Sequence, residues 1–438
     1  MKRSKFMTAA ATVLAAAMLM TACGASTSTQ ATSAAADEDE TEAADEAAGD
    51  DAEAAGEGTA LDTAELQSRM AFPVGDLSQI EMTAQANEMT ADEEAEMDRA
   101  MRAYVPAADS LLINKAESFY YYDQLDEDTQ GLYDAIYMAV EDAENAESIV
   151  TYLTDEDPYT DEFILKLYTA EYALLYDHAE LFWLYNDIDT SLGAYVGNEQ
   201  VSGMNVIYLK LEQPVEDYVA KQTAFNEAVD AFLADIDMTQ SDADIALQIH
   251  DKIDDMVTYD MAVLEKNSGD DYAHTAYGVL VENSEGQANT AVCDGYSQAY
   301  TYLLQQCGIE STVVLGSAGS DLDNLGGHAW SIVNLDGSWH EVDSTWDDVG
   351  TTEEQLTEDI SGYEYLKEGL EDPDYRQRLS HYLYSVSTET ISEYVMTEDD
   401  IYYSKDGQVY FSLIGDSYHV RDTDQVYGAI MAMAPIAE

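Results

Sequence analysis

Ala291-Val292-Cys293-Asp294-Gly295-Tyr296 is followed by Gly327-His328-Ala329-Trp330 and then by Glu341-Val342-Asp343-Ser344-Thr345-Trp346. These stretches supply a thiol, an imidazole and a carboxylate in an order that suits a nucleophile, its base and an orienting acid. The thiolate is the attacking species, so an imidazole must take or balance its proton and a carboxylate must hold that imidazole. Three cysteines occur in 438 residues, so the placement of each carries information.

Helix phase supports the thiol. Ala299, Tyr300, Leu303, Leu304 and Cys307 recur at helical spacing, and Gly308 follows as a C-terminal stop. The helix therefore begins near Asp294 and leaves Cys293 at its N-terminus. Unsatisfied amides and the helix dipole favour an anion there, which lowers a thiol's pKa. The same amides suit an oxyanion hole, with the Cys293 N–H as one donor.

Strand register supports the other two groups. Ala329 to Leu335 and Ser338 to Asp343 alternate as strands, with Asp336-Gly337 as a two-residue hairpin turn. With Leu335 opposite Ser338, the register runs back to Trp330 opposite Asp343. His328 lies on the same face, a diagonal neighbour of Asp343 with Cα atoms roughly 7–8 Å apart. A one-residue slip would put the two on opposite faces. A lone cysteine before a helix is usually a small buried residue, and a lone histidine at a strand start a structural hydrogen-bonder. The ordered set with matching register favours chemistry.

These segments resemble the bacterial transglutaminase-like family, within the papain-like cysteine peptidase superfamily. The resemblance also takes in His250-Asp251-Lys252-Ile253, Tyr259-Asp260, Thr275-Ala276-Tyr277-Gly278-Val279-Leu280 and His381-Tyr382-Leu383-Tyr384-Ser385-Val386-Ser387, the last as the strand that closes such domains. It covers about residues 245–400. It implies an α+β fold with an antiparallel sheet and an N-terminal catalytic helix. It also implies Cys293 as nucleophile, His328 as general base and acid, and Asp343 as the residue orienting His328. Glu282 to Asn289 departs from the family pattern, being longer and more polar than the usual link before the cysteine. The second oxyanion donor stays open between Gln287, six residues before Cys293, and Tyr277.

At the N-terminus, Lys2, Arg3 and Lys5 precede an apolar run from Phe6 to Met20, too short for a stable transmembrane span. The run ends Leu19-Met20-Thr21-Ala22-Cys23-Gly24, which resembles a bacterial lipobox and implies Cys23 as the lipidated residue of an extracytoplasmic, membrane-anchored protein. Each buried CH₂ of such a lipid contributes roughly 0.8 kcal/mol. With Cys23 lipidated and Cys293 and Cys307 at opposite ends of one helix, no disulfide is expected.

The expected organisation is a signal peptide (1–22), a disordered acidic tether (23–60), a mainly helical domain (61–241), the transglutaminase-like domain (242–400) and a C-terminal hairpin and tail (401–438). The tether has no aromatic residue, cannot bury enough apolar surface to order, and as a flexible chain reaches roughly 35 Å. In the helical region, Leu132, Tyr133, Ile136, Tyr137 and Val140 share a face, as do residues from Phe163 to Tyr176. Phe182 and Trp183 are placed either in the core or along a groove. Val206 to Leu211 reads as a strand that joins the catalytic sheet. Ile401 to Tyr403 and Val409 to Phe411 flank a turn as a final hairpin.

The chain carries 17 basic and 89 acidic residues, a formal charge of −72. Removing Met1 to Ala22 takes away three basic residues and leaves 14 against 89, about −75. That charge excludes nucleic acid and anionic headgroups as direct surface partners and is compatible with cationic peptide substrates or with simple solubility. Asp347 and Asp348 are placed to bias the cleft toward positive groups. No zinc cluster, phosphate-cradling loop or nucleotide signature is present, so no metal or cofactor is expected. The function expected is attack on peptide or protein amides through an acyl thioester, with hydrolysis favoured. Protein-glutamine crosslinking and non-catalytic peptide binding are the alternatives.

Overall fold

The computed structural model describes residues 111–438 apart from 113, 117, 144–149, 155–160, 185–193, 202–203, 212–214, 267–270, 349–362, 408 and 424–426. The expected signal segment, Cys23 and the expected acidic tether lie outside the described residues. Among those described, no helix is long and apolar enough to cross a membrane.

Helices α1 (Tyr120–Gln124), α2 (Glu127–Ala143), α3 (Asp161–Asp177) and α4 (Val215–Leu233) build the first part. The expected apolar stripes face inward: Leu132, Tyr133 and Ile136 from α2 and Phe163, Leu167 and Leu174 from α3 are buried. This region also holds a sheet that helical periodicity gave no sign of. Strands β1 (Val150–Thr154), β2 (Ala194–Val201) and β3 (Met204–Leu211) pair antiparallel in the order β1-β3-β2. The strand expected at Val206 to Leu211 therefore exists, but it pairs here and not with the catalytic sheet.

Helix α5 (Asp242–Met256) starts at Ser241, whose side chain accepts from the Asp244 N–H. Short strands β4 (Thr258–Tyr259) and β5 (Thr290–Ala291) pair in parallel around α6 (Ala276–Leu280) and deliver the chain to α7 (Cys293–Gln306). Helix α7 is buried nearly all round, because it packs against the main sheet on one side and α5 and α6 on the other. Gly295, in its first turn, is required by crowding: a Cβ there would stand 2.5 Å from the Ala273 carbonyl oxygen. The segment carrying His274 and Thr275 can therefore lie directly against the start of the helix.

The main sheet has five antiparallel strands: β6 (Ser311–Gly319), β7 (Gly326–Leu335), β8 (Ser338–Val342), β9 (Glu393–Tyr394) and, after a small hairpin, β12 (Ser417–Arg421). Their order is β8-β7-β6-β12-β9. The β7–β8 register pairs Leu335 with Ser338 and Ser331 with Val342, as read from the sequence. Asp336 and Gly337 both take positive φ, 54° and 86°, which the two-residue turn demands. The hairpin expected near residue 405 is β10 (Tyr402–Tyr403) with β11 (Tyr410–Phe411).

Three expectations are displaced. The stretch from His381 to Ser387 is not a sheet strand; it meets β8 through one isolated bridge, Glu341 to Val386. The segment 401–438, read as hairpin and tail, supplies β12, an interior strand of the sheet. The helical region shares a continuous core with the sheet: the Tyr121 hydroxyl donates to the Val313 carbonyl at 2.6 Å, and Phe182 stacks 4.5 Å from Tyr277. Phe182 and Trp183 are both buried, so they belong to that core and not to a groove.

Candidate active site

Cys293 is the first residue of α7, with Val292 as its N-cap, and its side chain is a buried thiol outside any disulfide. The helix start offers it unsatisfied N–H groups and the positive end of the dipole. His328 comes from β7 and Asp343 from the residue after β8, where it caps α8 (Ser344–Asp347). His328 Nε2 lies 2.7 Å from Asp343 Oδ2, with both side chains buried.

The electrostatics follow from this packing. Burial opposes the charge on His328, but Asp343 and the hydrogen-bonded Cys293 thiol overcome it and raise the imidazole to about 10. Burial likewise opposes ionisation of Asp343, yet the His328 and His419 rings hold its carboxyl well below the usual range. The Thr345 and Trp346 backbone N–H groups, each 3.1 Å from Oδ1, add to the hydrogen bonding of this carboxylate. An ionised carboxylate accepts only, so His328 must present Nε2–H to it. Nδ1 is then the ring nitrogen left for the thiol. The arrangement can hold a thiolate beside an imidazolium.

Aromatic rings wall the imidazole. Trp330 stacks on His328 with ring centres 6.1 Å apart, and Trp346 packs at 5.8 Å. The Trp330 indole N–H donates to Glu341 at 2.8 Å, and Arg421 holds the other Glu341 oxygen at 2.7 Å.

Two groups at the site were not singled out from the sequence. His419, from β12, is buried with Nε2 at 2.9 Å from the same Asp343 Oδ2. Burial is the main cause that lowers its pKa, which favours the neutral ring. His274 places Nδ1 2.8 Å from Asp294 Oδ2, beside the start of α7. Burial works against its charge, but Asp294 and Cys293 raise it to about 9. The signal for His419 was faint: His419 and Arg421 alternate on one face of a short strand.

The oxyanion candidates lie in defined surroundings. Gln287 is exposed, and its Oε1 accepts from Asn283 Nδ2 at 2.8 Å within the polar loop from Glu282 to Asn289. Tyr277 is buried against Phe182 and Tyr272. Asp347 does not face a cleft as expected: it is fully buried, accepts from the Leu383 N–H at 2.9 Å and meets His250 Nε2 at 3.3 Å. Asp348 accepts from the Tyr296 hydroxyl at 2.7 Å.

Two clusters have metal-ligand spacing, His328 with Asp343 and His419, and His250 with Asp251 and His381. In both, direct hydrogen bonds between the side chains account for the proximity.

Residues 230–344 match the transglutaminase-like superfamily. The match runs from within α4 to just past Asp343, so it takes in Cys293, His328 and Asp343 but not His419. A crystal structure of a TGase aligns with 39% of this chain and 50% of its own, at 17% identity and a TM-score of 0.25. A candidate cysteine protease from Cytophaga hutchinsonii aligns with 32% of this chain and 52% of its own, at 18% identity and a TM-score of 0.21. The chain thus spans about half the length of each of these structures. No curated protein matches it.

Proposed function

We propose that the transglutaminase-like domain is a cysteine enzyme acting on peptide or protein amides, with Cys293 as nucleophile, His328 as acid and base, and Asp343 as its orienting partner. The observation that carries this is the buried 2.7 Å His328–Asp343 contact, its imidazole bonded to a thiol at a helix N-terminus. The Cys293 sulfur attacks the carbonyl carbon, and the oxyanion draws on the N–H groups at the start of α7. His328 passes its proton to the leaving amine, and the C–N bond breaks to leave a thioester. Water then attacks as His328 removes its proton, releasing the acid and restoring the thiol. An amine in place of water would give crosslinking. Hydrolysis is favoured because water is abundant and no amine site is evident among the described residues.

The test is labelling by a thiol-directed acyl probe. Wild type should label and Cys293→Ala should not; equal labelling of both, or none of a folded wild type, would leave a peptide-binding module as the better reading. A glutamine peptide offered with a labelled primary amine separates the two acyl acceptors, since incorporation of the amine would overturn hydrolysis.

The lipobox-like Leu19-Met20-Thr21-Ala22-Cys23 supports placing this domain outside the cytoplasm, anchored through lipid on Cys23 and carried on the acidic tether. The high acidic content supports cationic peptides as substrates. Cys23→Ala should release the protein into the medium, and continued membrane fractionation would sink the anchor.

A further inference from the structure

We infer that His419 is a positioning residue: its N–H on Asp343 sets the basicity and orientation of that carboxylate, and through it the proton affinity of His328. The inference rests on the nucleophile reading above and extends the set from three side chains to four.

Register puts His419 where no neighbouring residue could stand. Strand β12 pairs with β6, His419 opposite Ala318, while β6 pairs on its other side with β7. From two strands away, with β6 between it and His328, the His419 ring reaches back to Asp343 Oδ2 at 2.9 Å, the oxygen that His328 Nε2 meets at 2.7 Å. Both nitrogens must donate to this carboxylate. Oδ1 is already held by the Thr345 and Trp346 N–H groups, so the backbone fixes one oxygen and the two histidines share the other.

The ring is committed to this one bond. Its Nδ1 is buried with no hydrogen-bond partner among the described residues, and Trp346 and Trp330 pack edge-on at 4.9 and 5.2 Å, fixing its plane. A histidine kept only to fill space would leave that nitrogen's polarity uncompensated for no return; phenylalanine would serve better. The charged and titratable groups facing it are Asp343, His328 from β7 and Glu341 from β8, while Arg421 on its own strand is tied to Glu341. A second imidazolium beside His328 would be repelled, so the donor stays neutral. A neutral donor weakens Asp343 as a base without cancelling its charge. The shared proton then stays on His328, where the leaving amine needs it.

The experiment follows alkylation of Cys293 by iodoacetamide against pH in the full chain, read at the Cys293 peptide so that Cys307 and Cys23 do not contribute. Wild type should show two steps, one as the thiolate–imidazolium pair forms and one as His328 loses its proton. His419→Phe keeps the ring volume and removes the donor, so the alkaline step should move up by about one pH unit, with acyl-probe labelling roughly tenfold slower. His419→Gln restores an N–H donor and should return both toward wild type. A purely structural role would lower melting temperature and leave the alkaline step in place. A two-step wild-type profile that folded His419→Phe leaves unmoved, or that Gln shifts as far as Phe, overturns this inference alone. A single ordinary thiol titration in wild type overturns the nucleophile reading and this inference with it. Should the Phe variant not fold, ¹⁵N-histidine NMR of wild type decides: His419 neutral with the proton on Nε2 supports the inference, and a protonated His419 at neutral pH overturns it.

Discussion

Helix α8 is one turn long and has a buried histidine–aspartate pair at each end, and the two pairs behave differently. At its N-cap, Asp343 accepts from two backbone N–H groups and two imidazoles, and its carboxyl is held well below the usual range. At its last residue, Asp347 meets His250 at 3.3 Å but too poorly aligned for a hydrogen bond, and burial raises its pKa. Nearby Asp254 is buried with neither carboxylate oxygen hydrogen-bonded, 3.8 Å from His250 Nδ1, and its pKa is raised well above normal. Burial opposes charge on His250, but Asp254, Asp251 and Asp347 lift it to about 10. One imidazolium serves three acids there, whereas two imidazoles serve one acid at Asp343. A histidine beside an aspartate is therefore no site by itself. The donor count on the carboxylate, and a thiol bonded to the imidazole, set the Asp343 pair apart from the one that ties α5 to α8.

That contrast can be broken at several points. The largest effect should follow Asp343→Asn, whose amide NH₂ would face two histidine N–H groups and force His328 into the wrong tautomer. Acyl-probe labelling should fall by roughly 10⁴-fold, as for orienting acids in comparable triads. A loss under tenfold in a folded variant would show that Asp343 does not orient the base.

His250→Ala strikes the other pair. It strands Asp254 and Asp347 with no counter-charge, at a cost of about 3–5 kcal/mol in denaturant unfolding. The pH profile of Cys293 alkylation should stay where it was in the folded fraction. A shifted profile would mean the two pairs are coupled through α8.

The pH dependence of stability should carry the raised imidazoliums, His250 and His328 first and His274, raised to about 9, beside them. His250 and His328 have folded pKa values raised to about 10 from 6.5. Their stabilisation is fully present below 6.5 and lost as pH rises through about 10. Unfolding midpoints should therefore fall progressively from pH 7 to about 10 and level off above it. In His250→Ala the fall should be shallower, and an equally steep fall would assign it elsewhere.

The smallest effect belongs to Gln287→Ala. With its amide engaged by Asn283 on an exposed loop, labelling should change less than about twofold and stability by less than about 0.5 kcal/mol. A hundredfold loss of labelling would instead make Gln287 the second oxyanion donor.

What could be read in the chain was local. Cys293 at a helix start depends on a 3.6-residue phase within α7, and the placing of His328 with Asp343 depends on a two-residue turn and a period of two. Each is set by neighbours within about one element length. Misreadings arose where partners are remote. Val206 to Leu211 carries the alternation of a strand but no mark of which sheet it joins. Asp347 looks like an exposed acid beside a cleft until α5 brings His250 against it.

The sequence by itself determined the helix phase, the hairpin register and hence which face holds His328 and Asp343, because both periodicities follow from backbone geometry. Only the tertiary structure decided that β12 lies inside the sheet and brings His419 to Asp343. Strand order depends on the pairing of β12 with β6, which are remote in the chain, and it brings together His419 and Asp343, 76 positions apart; no spacing along the chain encodes it.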